Sequence, residues 1–290
     1  MSKYEKLAQE ALENNNIITR LLIWINGYNE PKHKASENYF NAGNQYTIDK
    51  DYENAVKCFI KSIELNIEIC EDYYDNLEHL AVCYSYLNDK VNLINTYSQL
   101  AEIYKNKARL DRYNEQLIKI ASIYENDELY LNALEELNKT SPHVRNYNDI
   151  LNKKSLLMIK TNDYEKAYEI NKELYNEEKI KKSGIITAKK YAYNSLIYSM
   201  AWDIIPMNKF YKIIYDESPG YFSYGEGMII SKLIDSINSN DIEKFENAIN
   251  ERDKIKELTK DEIKIFTKIK KEYFDEILNN NYESEIIDLC

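Results

Sequence analysis

Residues 51–59 read DYENAVKCF, and the phrase returns along the chain. Asp51-Tyr52-Glu53-Asn54-Ala55 is followed by Phe59, Leu129-Tyr130-Leu131-Asn132-Ala133 by Leu137, and Asp163-Tyr164-Glu165-Lys166-Ala167 by Asn171. Asp241-Ile242-Glu243-Lys244-Phe245 repeats it more weakly. Tyr130 and Tyr164 stand 34 positions apart, while 78 separate Tyr52 from Tyr130 and Tyr164 from Ile242, two periods of about 39. A recurrence of this length, with an aromatic three residues before alanine, marks stacked helix-turn-helix repeats. The aromatic opens the second helix of a pair. Alanine, one turn later on the same face, lets the partner helix come close.

The first helices carry matching apolar faces: Tyr39-Phe40-Ala42-Tyr46, Leu80-Ala81-Tyr84-Leu87, Leu117-Ile120-Ala121-Tyr124 and Ile150-Leu151-Leu156-Met158. Asp or Asn stands between the helices of most pairs, at Asp49-Lys50-Asp51, Asn88-Asp89, Asn162-Asp163 and Asn240-Asp241, where a cap belongs. The expectation is an all-α fold, a right-handed solenoid of about six antiparallel helix pairs of the tetratricopeptide kind. A longer lysine-rich helix should follow near 258–278. The segment 218–225, SPGYFSYG, is dense in Pro, Gly and aromatics and marks the join to a C-terminal helical bundle. The expected division is 1–217 for the repeat body, 218–278 for the bundle and 279–290 for an acidic, flexible tail.

Six glycines and four prolines in 290 residues are too few breakers for a many-stranded fold. The 27 tyrosines are scattered, as packing material rather than a stacking platform. A formal charge of −11 and a pI near 5.0 argue against a nucleic-acid partner, whose binders usually carry a basic face and a pI above about 9. Cys58, Cys70, Cys83 and Cys290 form no CxxC pair and have no histidine at ligand spacing. They read as buried thiols in a reducing compartment. The opening MSKYEKLAQE holds no apolar signal region, and no run approaches the ~18 apolar residues of a spanning helix. A soluble, cytosolic protein is expected.

Signatures of catalysis are missing from the sequence: no Walker loop, no nucleophile elbow, no HExxH. Gly225-Glu226-Gly227 lacks the third glycine and the preceding strand of a phosphate loop. His33, His79 and His143 lie far apart, and His79, on a repeat helix, reads as a packing residue. The expectation is therefore no enzyme, no metal, no cofactor and no small-molecule substrate. A binding protein remains, whose long concave face suits helices or extended peptides. The densest basic cluster is Lys179, Lys181, Lys182, Lys189 and Lys190, with Lys153 and Lys154 one pair earlier and Arg109 and Arg112 before that. It reads either as a segregated patch for acidic partners or as a solvated face salt-bridged to interleaved glutamates.

Over most of its length the chain resembles the soluble NSF attachment proteins, adaptors that connect SNARE bundles to the NSF ATPase. Leu21-Leu22-Ile23-Trp24-Ile25-Asn26-Gly27-Tyr28 is similar to the apolar segment between the first two helices of the family's gamma branch. Tyr39-Phe40-Asn41-Ala42-Gly43-Asn44 followed by Tyr52-Glu53-Asn54-Ala55 resembles the first repeat, and Ile120-Ala121-Ser122-Ile123-Tyr124-Glu125 the central I-A-E-I-Y-E phrase. Ser218-Pro219-Gly220-Tyr221 is similar to the gamma branch's Pro-Gly-Phe join, and the chain ends Leu289-Cys290, with leucine penultimate as in alpha forms. The order and spacing of these phrases carry the resemblance, more than any one of them.

The resemblance implies a role for each matching position. Leu21, Leu22, Ile23 and Trp24 would attach to the membrane. Arg109, Lys153, Lys189 and Lys190 would meet the acidic surface of the SNARE coiled coil. Asp203, Asp235, Glu283, Glu285, Asp288 and Leu289 would engage the ATPase. Glu115 and the neighbourhood of Asp149 stand where alpha forms have lysines, and Asn238 and Ser239 replace an acidic pair. The alternative is a generic tetratricopeptide scaffold unrelated to SNAREs; a helical subunit of a prenyltransferase kind is a third reading. On the residues alone, the stretch RLLIWINGYNE at 20–30 can equally be a packed staple or an exposed tip. Trp24 and Tyr28 are types that favour a membrane interface, and so short an apolar run binds weakly and reversibly.

Overall fold

The computed structural model describes residues 1–13, 23, 29–181 and 184–287, with side chains as far as 274. Among them it contains fourteen α-helices and no strand. These are α1 (Lys3–Glu13), α2 (Glu30–Ile48), α3 (Tyr52–Glu68), α4 (Tyr74–Tyr86), α5 (Lys90–Asn106), α6 (Leu110–Asn126) and α7 (Tyr130–Asn138). There follow α8 (Tyr147–Lys160), α9 (Tyr164–Ile180), α10 (Ile185–Met200), α11 (Ile204–Glu217), a 3-10 turn at Pro219–Ser223, α12 (Gly225–Asn238), α13 (Ile242–Ile255) and α14 (Lys260–Ile287). From α2 to α13 they form six pairs. The second helices open at Tyr52, Lys90, Tyr130, Tyr164, Ile204 and Ile242, so each interval of 78 divides into 38 and 40. The final helix covers the stretch expected near 258–278 and its backbone runs on to Ile287.

The turn chemistry explains how a chain so poor in glycine turns so often. Seven helix ends place a non-glycine residue in the left-handed region: Lys50, Cys70, Asn88, Ala108, Glu128, Asn162 and Asn240, with φ between 52° and 63°. In each, the next amide bonds back to the carbonyl five residues before it, as in Asp51 N to Tyr46 O at 2.8 Å and Asp89 N to Tyr84 O at 3.0 Å. Asn accepts this conformation at little cost; Lys, Cys, Ala and Glu are strained by it. After all of them but Cys70 the following helix starts two residues on. Asp51, Asp89, Asp163, Asp203 and Asp241 each accept a bond from an amide of the next turn. In the Asn-Asp doublets, Asn makes the turn and Asp caps the helix.

The chain divides into two compact units, Met1–Arg145 and Asn146–Cys290. In the first, helices pack on their neighbours in sequence from α1 to α7. The repeated alanines, Ala55 and Ala133, are fully buried. Gly43 of α2 lies against the Phe59 ring, 2.7 Å from where a Cβ would stand, so only glycine permits this approach of α2 and α3. Phe59 in turn meets Phe40 and His79, and the His79 ring lies against both phenyl rings while the residue stays exposed. Ser36, Ser62, Asn66 and Asn76 bridge α2, α3 and α4: Ser36 Oγ to Ser62 Oγ is 2.9 Å, and Asn76 Nδ2 donates to Ser62 Oγ at 2.7 Å.

In the second unit one buried cluster runs from Leu151 to Phe274, including Ala167, Met207, Phe210, Leu233 and Phe245. Tyr168 and Tyr175 meet Phe210 edge-on with ring centroids 6.0 and 5.4 Å apart. Two expectations are corrected. Leu156, placed on a core face by its spacing, is exposed on the wall of a surface cleft. Cys70 is exposed at its left-handed turn, whereas Cys58 and Cys83 are buried thiols as expected.

Candidate functional site

The second unit carries a cleft of about 590 Å³. Its walls come from the first helices of successive pairs: Leu156 and Ile159 of α8, Ile186, Lys189, Lys190, Tyr193 and Ile197 of α10, and Tyr224 to Glu226 where α12 begins. Arg252 and Lys256 close it from the end of α13, and Thr259, Asp261, Glu262 and Ile265 from the start of α14. The α12 end depends on a tight fit. Gly225 has φ +58°, and a Cβ on Gly227 would stand 2.1 Å from the Tyr221 carbonyl oxygen, so Gly225-Glu226-Gly227 joins the 3-10 turn to a helix.

Arg252, only 3% exposed, lies at the centre. Its Nε donates to the Tyr193 hydroxyl at 2.9 Å, Nη1 to the Lys256 carbonyl at 3.0 Å and Nη2 to Glu262 Oε1 at 2.7 Å. Glu226 lies 3.8 Å away. Burial works against the guanidinium charge, but Tyr193, Glu262 and Glu226 outweigh it and raise its pKa. Burial also pushes the phenols of Tyr193, Tyr198 and Tyr221 upward. Glu262 completes a capping box: Thr259 N donates to Glu262 Oε2 at 3.0 Å and Glu262 N to Thr259 Oγ1 at 3.2 Å. One arginine thus ties α10, α13 and the first turn of α14 together.

The basic cluster divides between the two sequence readings. Lys179 pairs with Glu217 at 2.8 Å and Lys181 with Glu178 at 2.5 Å, a solvated salt-bridged face. The partners' hydrogen bonds hold both carboxyls below their usual range. Lys154 is 7% exposed with its ammonium 5.8 Å from the Tyr147 ring, and burial lowers its pKa. Lys182 lies outside the described residues. What remains of the patch is Lys189, whose Nζ donates to the Tyr224 hydroxyl at 3.0 Å, and exposed Lys190, both on the cleft. Lys153 is partly buried on α8.

In the first unit Arg109 is exposed at the N-terminus of α6, and Arg112 and Lys119 both pair with Glu115, at 2.9 and 3.2 Å. Burial pushes the Glu115 carboxyl up, but the bonds from Lys119 and Arg112 prevail and keep its pKa low. Asp203 caps α11 through a bond from Ile205 N at 2.8 Å, and Asp235 is exposed near the end of α12. Of Leu21, Leu22, Ile23 and Trp24, only Ile23 lies among the described residues, where it is partly buried. The side chains of Glu283 and Glu285, and Asp288 and Leu289 entirely, lie outside them. No helix among the described residues is long and apolar enough to cross a membrane.

Sequence reasoning did not find Arg252, Tyr193, Lys256 or Glu262, and met Tyr224 only within the join and Glu226 only in a rejected phosphate loop. The join at 218–225 was the one signal close to them, since a break in a repeat is where its inward faces stop repeating.

The family model described as "Soluble NSF attachment protein, SNAP" matches residues 2–273. No curated protein matches the sequence. Among solved structures the chain is similar to a Rap protein complexed with competence and sporulation factor. The two share 16% identity over 91% of this chain and 75% of that one, with a TM-score of 0.42. The helix pairs are established by the chain's own helices and not by that likeness.

Proposed function

The chain belongs to the soluble NSF attachment protein family, and from that membership we propose that it is an adaptor which grips SNARE bundles and presents them to the NSF-type ATPase for disassembly. The match over residues 2–273, nearly the whole chain, carries this reading. Arg109, Lys153, Lys189 and Lys190 meet the acidic surface of the bundle, setting register and encounter rate more than depth of affinity. The exposure of Arg109 and Lys190 supports it.

Leu21, Leu22, Ile23 and Trp24 hold each copy at the membrane as a peripheral protein, so that weak contacts add through effective concentration. Asp203, Asp235, Glu283, Glu285, Asp288 and Leu289 engage the ATPase. In this reading residues 1–217 form the recognition body, 218–278 the C-terminal bundle and 279–290 the tail offered to the ATPase. The protein performs no chemistry of its own and needs no cofactor.

The test is a SNARE-disassembly assay with the NSF-type ATPase and this protein as the only adaptor. ATP-dependent loss of the bundle, absent without the protein, is expected. Failure to recover either SNAREs or the ATPase from a membrane extract would return the chain to a generic helical scaffold. Leu289→Ala should abolish ATPase stimulation; unchanged stimulation removes that residue from the contact. In liposome co-sedimentation Leu21→Ser/Trp24→Ser should lose binding, and equal partitioning with a lower melting temperature would mean that the stretch packs in the protein.

A further inference from the structure

The cleft of the second unit has its own charge balance. Each carboxylate on its wall is held by a cation: Asp261 by Lys160 at 2.8 Å, Glu262 by Arg252 at 2.7 Å, and Glu226 3.8 Å from Arg252. Lys189, Lys190 and Lys256, by contrast, have no carboxylate partner among the described residues; the Lys189 ammonium donates to the Tyr224 hydroxyl and lies over its ring. The remaining wall is mostly tyrosine and aliphatic, and its exposed aliphatic side chains are Leu156, 42% exposed, and Ile186, 83% exposed. Three carboxylates stand against five cations, Lys160 included, so the cleft is net positive and disfavours a cationic ligand. A membrane is broad and cannot follow a recess. A packed rod of helices, each about 10–12 Å across, is too wide to enter a space of this volume.

We propose that the cleft is a receptor for a short acidic, aliphatic peptide segment of a partner protein. One aliphatic side chain packs beside Leu156 and Ile186, and flanking carboxylates meet Lys189, Lys190 and Lys256. Its volume, about 590 Å³, lies in the usual range for a built binding pocket. An apolar anchor with charged flanks gives affinity from the first and orientation from the second. The proposal shares Lys189 and Lys190 with the adaptor reading, so its test uses Ile186 and Lys256, which that reading leaves aside.

The probe is a fluorescein-labelled Asp-Glu-Leu-Leu-Glu-Asp peptide titrated into the full-length protein and followed by anisotropy. Replacing both leucines of the peptide by serine, or Ile186→Asp in the protein, should weaken binding by more than about tenfold. Lys256→Gln should weaken it by up to about fivefold and flatten its salt dependence. Ile213→Asp, on an exposed position of α11, should change nothing. Loss of peptide binding with SNARE-bundle recovery intact supports a separate peptide site. Equal binding of the leucine and serine peptides, undiminished binding to Ile186→Asp, or no binding to the parent protein overturns the proposal, whatever the bundle does.

Discussion

The first unit is stitched together, whereas the second is filled. Between Met1 and Arg145 the described residues include two small buried clusters, around Phe59 and around Tyr39, with Ser36, Ser62, Asn66 and Asn76 bonding helix to helix. Exposed apolar residues, Ile48, Val91 and Leu131 among them, mark its turns. Between Asn146 and Cys290 one cluster takes in every helix, and a single arginine braces the start of the last. A regular repeat asks the same packing of every inward position. A recess with distinctive chemistry appears where the repeat breaks, at the Pro219–Ser223 turn and the α13–α14 connection.

The contrast can be broken most forcefully from its cores. Phe59→Ala in the first unit and Phe210→Ala in the second should each cost about 3–5 kcal/mol in urea unfolding, both side chains being buried. If the first unit is stitched by polar bonds, Phe59→Ala should expose amides to hydrogen exchange over α2 to α4 alone, whereas Phe210→Ala should do so throughout the second unit. Arg252→Ala should cost about 3 kcal/mol, because it leaves Glu262 partly buried without its cation. Adding Glu262→Gln should restore a part of that loss, and no recovery would show that the arginine acts through packing alone.

Smaller effects sharpen the comparison. Lys154→Met keeps the buried stem and removes a charge, and should stabilise by about 0.5–1 kcal/mol near neutral pH. Burial depresses the lysine's folded pKa, so the unfolded chain binds more protons, native stability rises with pH and the advantage of methionine should shrink. Ala108→Gly and Glu128→Gly, at left-handed positions of the first unit, should each add about 0.5 kcal/mol; a loss at either would mean that its turn is not strained.

The smallest effect concerns α1. Tyr46 donates to Glu5 at 2.6 Å and accepts from Ser2 N at 3.1 Å, and the Glu5 bond raises the phenol's pKa to about 12. A raised acid contributes stability below its unfolded value near 10 and loses it as pH climbs toward about 12. Tyr46→Phe should therefore flatten the alkaline fall in stability relative to the parent.

Much of the fold could be read from the sequence because its signals are local. Asp51, Asp163 and Asp241 announce their helices, and Ala55, Ala133 and Ala167 mark their close contacts. The repeat phrase is missing at Lys90 and Ile204, where Lys and Ile replace the aromatic and Leu93 and Met207 replace alanine, although Asp89 and Asp203 still cap the helices. The site was less legible. Lys189 and Lys190 stand out as a doublet, but nothing near them in sequence distinguishes them from Lys179 and Lys181, whose glutamate partners lie 38 and 3 positions away. Arg252 meets Tyr193 across 59 positions and Glu262 across 10, and only the folded chain brings these together.

The left-handed turns have a consequence for how such a chain can be lengthened. Between the helices of a pair the connection is three residues, at 49–51, 87–89, 127–129, 161–163, 201–203 and 239–241, most of them committed to a turn and a cap. Between pairs the connection varies, from three residues at 107–109 to eight at 139–146. Insertions, fluorescent labels or affinity tags therefore belong in the between-pair segments, 139–146 first of all, where added residues need not displace a capping aspartate.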